Sequence, residues 1–372
     1  MRFLFYTQSL VSDWNHGNAH FLRGVMRELQ RAGHEALALE PADSWSRRNL
    51  VAEQGAGAIA HFCARFPDLR WKIYDSDFDH DDALARADVV VVHEWTDPSL
   101  VARIGRTRRE ASFLLLFHDT HHRAVSASDE LARLDLDDYD GVLAFGEALR
   151  QRYLRAGWGS QVFTWHEAAD TSTFRPHPDI EKIEDLVWIG NWGDGERARE
   201  LSEYLCEPAR NLSLTGGVHG VRYPEEALAL LSASNLAYRG WIPNCEVPRA
   251  FAAARATVHI PRRPYVEQLP GIPTIRVFEA LACGIPLICA PWRDEEGLFH
   301  EERDFLMAHN REEMTRLLHD VLHDQFLSEA LARHGLDTVR NRHSCAHRVQ
   351  ELLGIVGRLG SGVATRTRDA AA

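Results

Sequence analysis

Short apolar segments alternate with helical ones from the first residue to about residue 340, and the alternation runs twice. Phe3–Thr7, Ala36–Leu39, Val89–His93, Phe113–Phe117, Gly141–Phe145 and Gln161–Trp165 read as strands, each followed by polar or helical sequence. Between the first two, Phe21, Leu22, Val25, Met26 and Leu29 share one helical face, and Ala32-Gly33-His34 closes that helix. Continuous apolar strands separated by helices require a parallel sheet covered on both faces. The pattern lapses across Ala168–Glu184, where Pro176 and Pro178 sit among polar residues. It resumes with strands at Leu186–Ile189, Leu212–Thr215, Leu236–Arg239, Thr257–Ile260, Pro286–Cys289 and Phe305–Met307. Helices are expected between them at Arg197–Leu205, Val247–Arg255, Ile275–Cys283 and Glu312–Leu322, and Gly216-Gly217 with Gly220 reads as a plain turn. The chain is therefore α/β, with two doubly wound Rossmann-like domains over 1–167 and 185–340 and a linker over 168–184. A last helix is expected over 341–359 and a disordered tail over 360–372, which is small, polar and aperiodic. Two such halves in series leave a central cleft toward which the carboxyl ends of both sheets point.

Composition narrows the partners. At 372 residues the chain is too long for one ordinary core. A formal net charge of −12 argues against nucleic acid, which wants clustered Lys and Arg, but a few local donors can still hold a diphosphate. Six scattered cysteines without a CxxC pair suggest reduced, mostly buried thiols in a cytoplasmic protein. The apolar start turns polar at Thr7, Gln8 and Ser9, as a first strand does, and no transmembrane segment is expected because no apolar run is long enough. Gly190, Gly193 and Gly195 do not form GxGxxG, so a nicotinamide cofactor has little support. The basic run Arg103, Arg106, Arg108 and Arg109 reads as a solvated helix face.

The most specific stretch is Pro270–Pro286, PGIPTIRVFEALACGIP. A Gly/Pro loop leads to Thr274 at a plausible N-cap, a helix through Glu279, a stop at Gly284 and a strand opened by Pro286. Such a loop offers free backbone N–H groups and the positive end of a helix dipole to a diphosphate, and Arg276 can add charge. Glu279 is a single carboxylate on an otherwise apolar helix, so it needs a polar partner. That partner is either a sugar hydroxyl pair, as in ribose, or a group within the fold. A second constellation, His118-Asp119-Thr120-His121-His122-Arg123, follows a buried strand. An imidazole there can take a proton with Asp119 orienting it; a metal site and a solvated loop are the other readings.

The Pro270–Pro286 segment resembles the donor-binding motif of GT-B glycosyltransferases. More narrowly the chain resembles the CgeB-like family, named after a spore maturation protein. The similarity runs through Trp165–Pro176, Trp188–Leu205, Tyr238–Arg255, Pro273–Leu287 and Arg342–Leu353, in that order. The first half matches more loosely, at His16-Gly17-Asn18, at His93 and at the HDTHHR stretch. The resemblance implies a GT-B fold and a hexosyltransferase-like enzyme that moves a sugar from a nucleoside-diphosphate sugar to an acceptor. UDP or GDP is the expected nucleotide, with no further cofactor and no metal; the acceptor would be a glycan, a small molecule or a protein. It further implies that Glu279 holds the ribose, and that Pro273, Thr274 and Arg276 meet the diphosphate with Gly190, Asn191 and Arg197. Trp241 and Ile242 would line the base pocket, or else belong to the core. On the acceptor side it implies catalytic roles for His118 and Asp119, and cleft positions for Gly17, Asn18, His93 and His121 on a flexible loop and neighbouring strand ends. The last helix would brace the first domain. One departure concerns stereochemistry: Gly271 stands where many retaining members carry a second Glu, and Glu267 is out of register with it. A retaining outcome is still the favoured one. The alternatives are a nucleotide-sugar epimerase or hydrolase on the same fold, or a degenerate domain that binds without turnover.

Overall fold

A computed structural model describes residues 1–193 and 195–369, with side chains described as far as Ser361. The chain divides into two units, Met1–Glu167 with Cys345–Ala372, and Ala168–Ser344. The first holds a seven-stranded sheet of β1 Arg2–Tyr6, β2 Glu35–Pro41, β3 Trp71–Tyr74, β4 Val89–His93, β5 Leu114–Asp119, β6 Gly141–Ala144 and β7 Val162–Thr164. Every pairing is parallel, in the order β3-β2-β1-β4-β5-β6-β7. The order reverses between β1 and β4, and the right-handed crossovers place helices on both faces. Both faces being covered, Val89–Val92 and Leu115–Phe117 are all buried. Sequence reasoning missed β3, whose WKIY lies at the sheet edge with half-exposed or exposed residues and carries no apolar run.

The second unit holds β8 Glu184–Ile189, β9 Gly216–His219, β10 Leu236–Tyr238, β11 Ala254–His259, β12 Leu287–Cys289 and β13 Leu306–Met307. These are also all parallel, in the order β10-β9-β8-β11-β12-β13, so the reversal falls between β8 and β11. Leu212–Thr215, expected as a strand, is instead the turn before β9, with Ser213 at φ +53°. Gly216 and Gly217, expected in a turn, are strand residues beside β8. A Cβ at Gly216 would lie 2.5 Å from the Leu186 carbonyl oxygen, so only glycine lets the strands approach this closely. The helix expected over Arg197–Leu205 is split into Ala198–Leu201, a π-helical turn Ser202–Cys206 and Glu207–Asn211.

The stretch 168–184 is no free linker. Phe174 is fully buried, and the Ala169 N–H donates to the His343 carbonyl at 3.1 Å within the second unit. The final helix runs Cys345–Asp369, through the positions expected to be disordered; residues 370–372 of that expected tail lie outside the described residues. It packs in the first unit against α1 (Ala19–Arg31), with the Cys345 thiol 3.8 Å from the Phe21 carbonyl oxygen, while the Trp165 indole N–H donates to the Arg348 carbonyl at 2.8 Å. In the basic run, Arg103 pairs with Asp81, Arg108 with Asp140 and Arg109 with Asp138. Among the described residues no helix is long and apolar enough to cross a membrane.

Candidate functional site

In the second unit the polar residues gather at the carboxyl ends of β8 and β11, where the strand order reverses and open α/β sheets bind ligands. Arg197 spans the two strand exits. Its Nη1 donates to the Ile260 carbonyl at 2.8 Å and its Nη2 to the Asn191 carbonyl at 2.7 Å, while the guanidinium lies 5.1 Å over the Trp188 ring. It makes no ion pair among the described residues, whereas Arg262 and Arg263 beside it pair with Glu196 and Glu200. Burial, with Arg262 and Arg276 nearby, pulls its pKa down to about 9, a sign that positive charge is under-compensated here. An anion would relieve that imbalance.

Glycines let the chain close around this point. The Gly190 carbonyl accepts from the Tyr223 hydroxyl at 2.7 Å, and a Cβ on Gly220 would lie 2.0 Å from that same oxygen. Any side chain at Gly220 would therefore push the Gly190–Trp192 loop out. The Asn191 side chain fixes the loop further by accepting from the Val221 N–H at 2.9 Å. Beyond β10, Trp241 is half-buried with its indole N–H unpartnered among the described residues, and Ile242 packs against the core.

The helix Ile275–Cys283 starts after buried Pro273 and stops at Gly284, which takes the left-handed φ of +65°. Thr274 occupies the N-cap position, but its hydroxyl does not cap the helix; it lies 2.9 Å from His259 Nε2 at the end of β11. His259 Nδ1 has no hydrogen-bond partner among the described residues, and burial, aided by Arg197, pushes this imidazole down to about 3. One turn on, Glu279 is fully buried and pairs with Arg276, three residues before it. Arg276, expected at the diphosphate, is thus turned toward Glu279, and Glu279 has found one partner within the fold. Gly271 has φ +89°, a left-handed conformation that a Glu would adopt only with strain.

The first unit carries its own cluster at the ends of β4 and β5. His93 and His118 are neighbours in the sheet register, with rings 5.7 Å apart, and His16 stands 6.2 Å from His93. His93 Nε2 lies 3.1 Å from the Thr120 hydroxyl, and the Asn18 amide reaches the Thr120 carbonyl at 3.4 Å. Gly17 precedes Asn18 at the start of α1. His16, Asn18, His93, His118 and Thr120 line a cavity of about 20 Å³, the room one water needs. His118 packs on Trp165 at 4.8 Å, and its Nε2 has no hydrogen-bond partner among the described residues.

Asp119 does not orient His118. One carboxylate oxygen accepts from the His121 N–H at 3.0 Å, the other from the Tyr153 hydroxyl at 2.7 Å. The carboxyl of Glu94 lies against it and accepts from the Thr120 N–H at 3.2 Å, with Arg123 3.7 Å away; burial together with Asp119 raises the Glu94 pKa well above the usual range. His121 does not line the cavity; its ring lies 5.7 Å from Trp95. Upstream of His16-Gly17-Asn18, the loop expected to be flexible, the chain is anchored. The fully buried Glu40 accepts from Ser9 Oγ at 2.9 Å, Leu10 N–H at 2.8 Å and Val11 N–H at 3.3 Å, and pairs with Arg47 at 2.9 Å. Buried Arg23 pairs with Asp13 at 2.8 Å on the other side.

These imidazoles set an acid limit on folding. Burial pushes His118 down to about 3 and His16 to about 4, while an unfolded histidine titrates near 6.5. Between those values the unfolded chain binds more protons, so stability is lost as pH falls below about 6.5. The unfolding free energy from urea titration is expected to drop steeply from pH 7 to pH 5, by about 2 kcal/mol for each such histidine. A His118→Gln variant is expected to show a shallower slope; an unchanged slope would contradict this account.

The model of a family described as "Glycosyl transferase-like" matches residues 197–354. No curated protein matches the chain. Among solved structures, HepE of Anabaena, in complex with UDP and glucose, aligns with TM-score 0.65 at 14% identity over 96% of this chain and 100% of that one. A glycosyltransferase from Rickettsia africae aligns with TM-score 0.66 at 12% identity, over 96% and 98% of the two chains. Sucrose-phosphate synthase from Thermosynechococcus elongatus aligns with TM-score 0.63 at 15% identity over both chains entire. Two parallel Rossmann-like units of this kind are the GT-B fold, and this chain has it.

Proposed function

We propose that the chain is a glycosyltransferase that takes a sugar from a nucleoside-diphosphate sugar, with the donor bound at the β8/β11 strand ends and the acceptor hydroxyl bound in the first unit. The observation that carries it is Arg197, a guanidinium held by two backbone carbonyls at the switch point and making no ion pair among the described residues. The family match begins at this residue, and HepE was solved with UDP and glucose. In this reading Arg197 and the N-terminus of the Ile275–Cys283 helix take up charge on the diphosphate as the glycosidic bond loosens. Glu279, held by Arg276, accepts from the ribose hydroxyls. Gly190, Asn191 and Thr274 shape the phosphate side; Trp241 and Ile242 pack against the base. His118, kept neutral by burial and with no partner at Nε2 among the described residues, accepts a hydrogen bond from a sugar hydroxyl. The retaining course implied by resemblance finds no carboxylate at Gly271, and the anomeric coupling constant of the product reads the outcome directly.

The test is a thermal-shift series with UDP, GDP, dTDP, ADP and CMP on the wild type and on Glu279→Ala. A nucleotide at about 100 times its Kd is expected to stabilise the wild type by roughly 2.7 kcal/mol, a few degrees in Tm, and to leave the variant unshifted. If no nucleoside diphosphate stabilises the wild type, the donor assignment fails.

A further inference from the structure

Two of the large apolar side chains left exposed lie at the carboxyl rim of the first sheet. Trp45 is 40% exposed and Trp95 44% exposed. Trp45 opens the helix α2 (Trp45–Gln54) just after β2, and Trp95 stands two residues after β4. Strands β2 and β4 flank β1, so the two chain exits are about 10 Å apart at the usual strand spacing. Neither ring is loose. Trp45 meets the buried Trp14 edge-on at 4.9 Å and 74°, and the Trp14 carbonyl accepts from Ser46 Oγ at 2.6 Å. Trp95 rests on the Arg123 guanidinium at 4.3 Å, and Arg123 Nη1 donates to the Glu94 carbonyl at 2.8 Å. The imidazole of His121 closes its edge at 5.7 Å and 62°.

We propose that this rim is a carbohydrate-binding subsite, in which neutral sugar rings of the acceptor stack on Trp45 and Trp95. The proposal rests on the acceptor role given above to the first unit. A pyranose has an apolar C–H face and a hydroxyl edge, and it needs rigid aromatic faces with uncharged polar groups between them. The rim supplies both. Beside the indoles, at the ends of β1, β4 and β5, Asn18, His16, His93 and Thr120 line the small cavity described above, and burial keeps the imidazoles uncharged at neutral pH. An indole braced in advance loses little side-chain entropy when a ligand covers it. A protein partner would want a contiguous apolar patch, whereas here the two rings are separated by polar strand ends.

The experiment uses the full chain labelled with 5-fluorotryptophan, whose ten tryptophans give ten fluorine signals. Trp45→Phe and Trp95→Phe assign two of them. Maltotriose, cellotriose, chitotriose and the methyl pyranosides of glucose, galactose and mannose are titrated in turn, with and without UDP. At least one saccharide is expected to move both assigned signals, and Trp45→Ala or Trp95→Ala to weaken its binding by about tenfold each. No shift at either signal across the panel, or shifts confined to other tryptophans, overturns the proposal. UDP shifts at Trp188, Trp192 or Trp241 without any saccharide response leave the donor assignment standing and remove only this one. Saccharide shifts without any UDP response do the reverse.

Discussion

Arg197→Ala is expected to weaken nucleoside-diphosphate binding by on the order of a hundredfold, about 3 kcal/mol by titration calorimetry. The magnitude follows from where the guanidinium sits. It is half-buried, it is already oriented by the Ile260 and Asn191 carbonyls, and its pKa is drawn down to about 9 by burial and by Arg262 nearby. A ligand anion there completes a charge-assisted contact whose orientation has been fixed beforehand. Arg197→Lys is expected to recover only part of the affinity, because an ammonium cannot serve both carbonyls and the ligand in one plane. Arg316→Ala, on the exposed face of the Arg311–His323 helix, is the control and is expected to bind as the wild type does. Affinity within twofold of wild type for Arg197→Ala would remove the observation on which the donor site stands.

The second large effect concerns stability. Glu40→Ala is expected to cost about 3–5 kcal/mol in urea unfolding at pH 7. It removes one fully buried carboxylate and strands four donors at once: Ser9, Leu10, Val11 and the Arg47 guanidinium. Against a total stability of about 5–15 kcal/mol that is a large fraction. The loop that carries Ser9, Leu10 and Val11 leads to His16, so the histidine cavity is expected to loosen before the sheet does. A loss under about 1 kcal/mol would mean that water satisfies these groups.

What could be read beforehand depended on whether side chains or neighbours carried the signal. The apolar runs of β4 and β5 and the helix Ile275–Cys283 with its Gly284 stop declare themselves locally, and the structure places them within two residues of the expected bounds. Strand β9 hides because Gly216 and Gly217 are there to let backbones approach, and glycine advertises turns. The pairing of Arg276 with Glu279 was legible in their spacing of three, which puts both on one helical face. The contact between the carboxyls of Glu94 and Asp119 was not, since it depends on β4 and β5 lying side by side. Nor was the tie from Asp119 to Tyr153, which joins residues 34 positions apart. Trp95 gave no sign at all, because exposure is a property of the folded surface.

The first unit is assembled from both ends of the sequence, with its last helix laid on α1 only after the whole second unit has passed. On a ribosome adding about 5–20 residues per second, the Phe21 face of α1 and the Trp165 indole wait on the order of ten seconds for their cover. The half of the molecule that is made first is therefore finished last. Until then its exposed core is what a chaperone would meet, while the second unit, continuous in sequence, can close on its own.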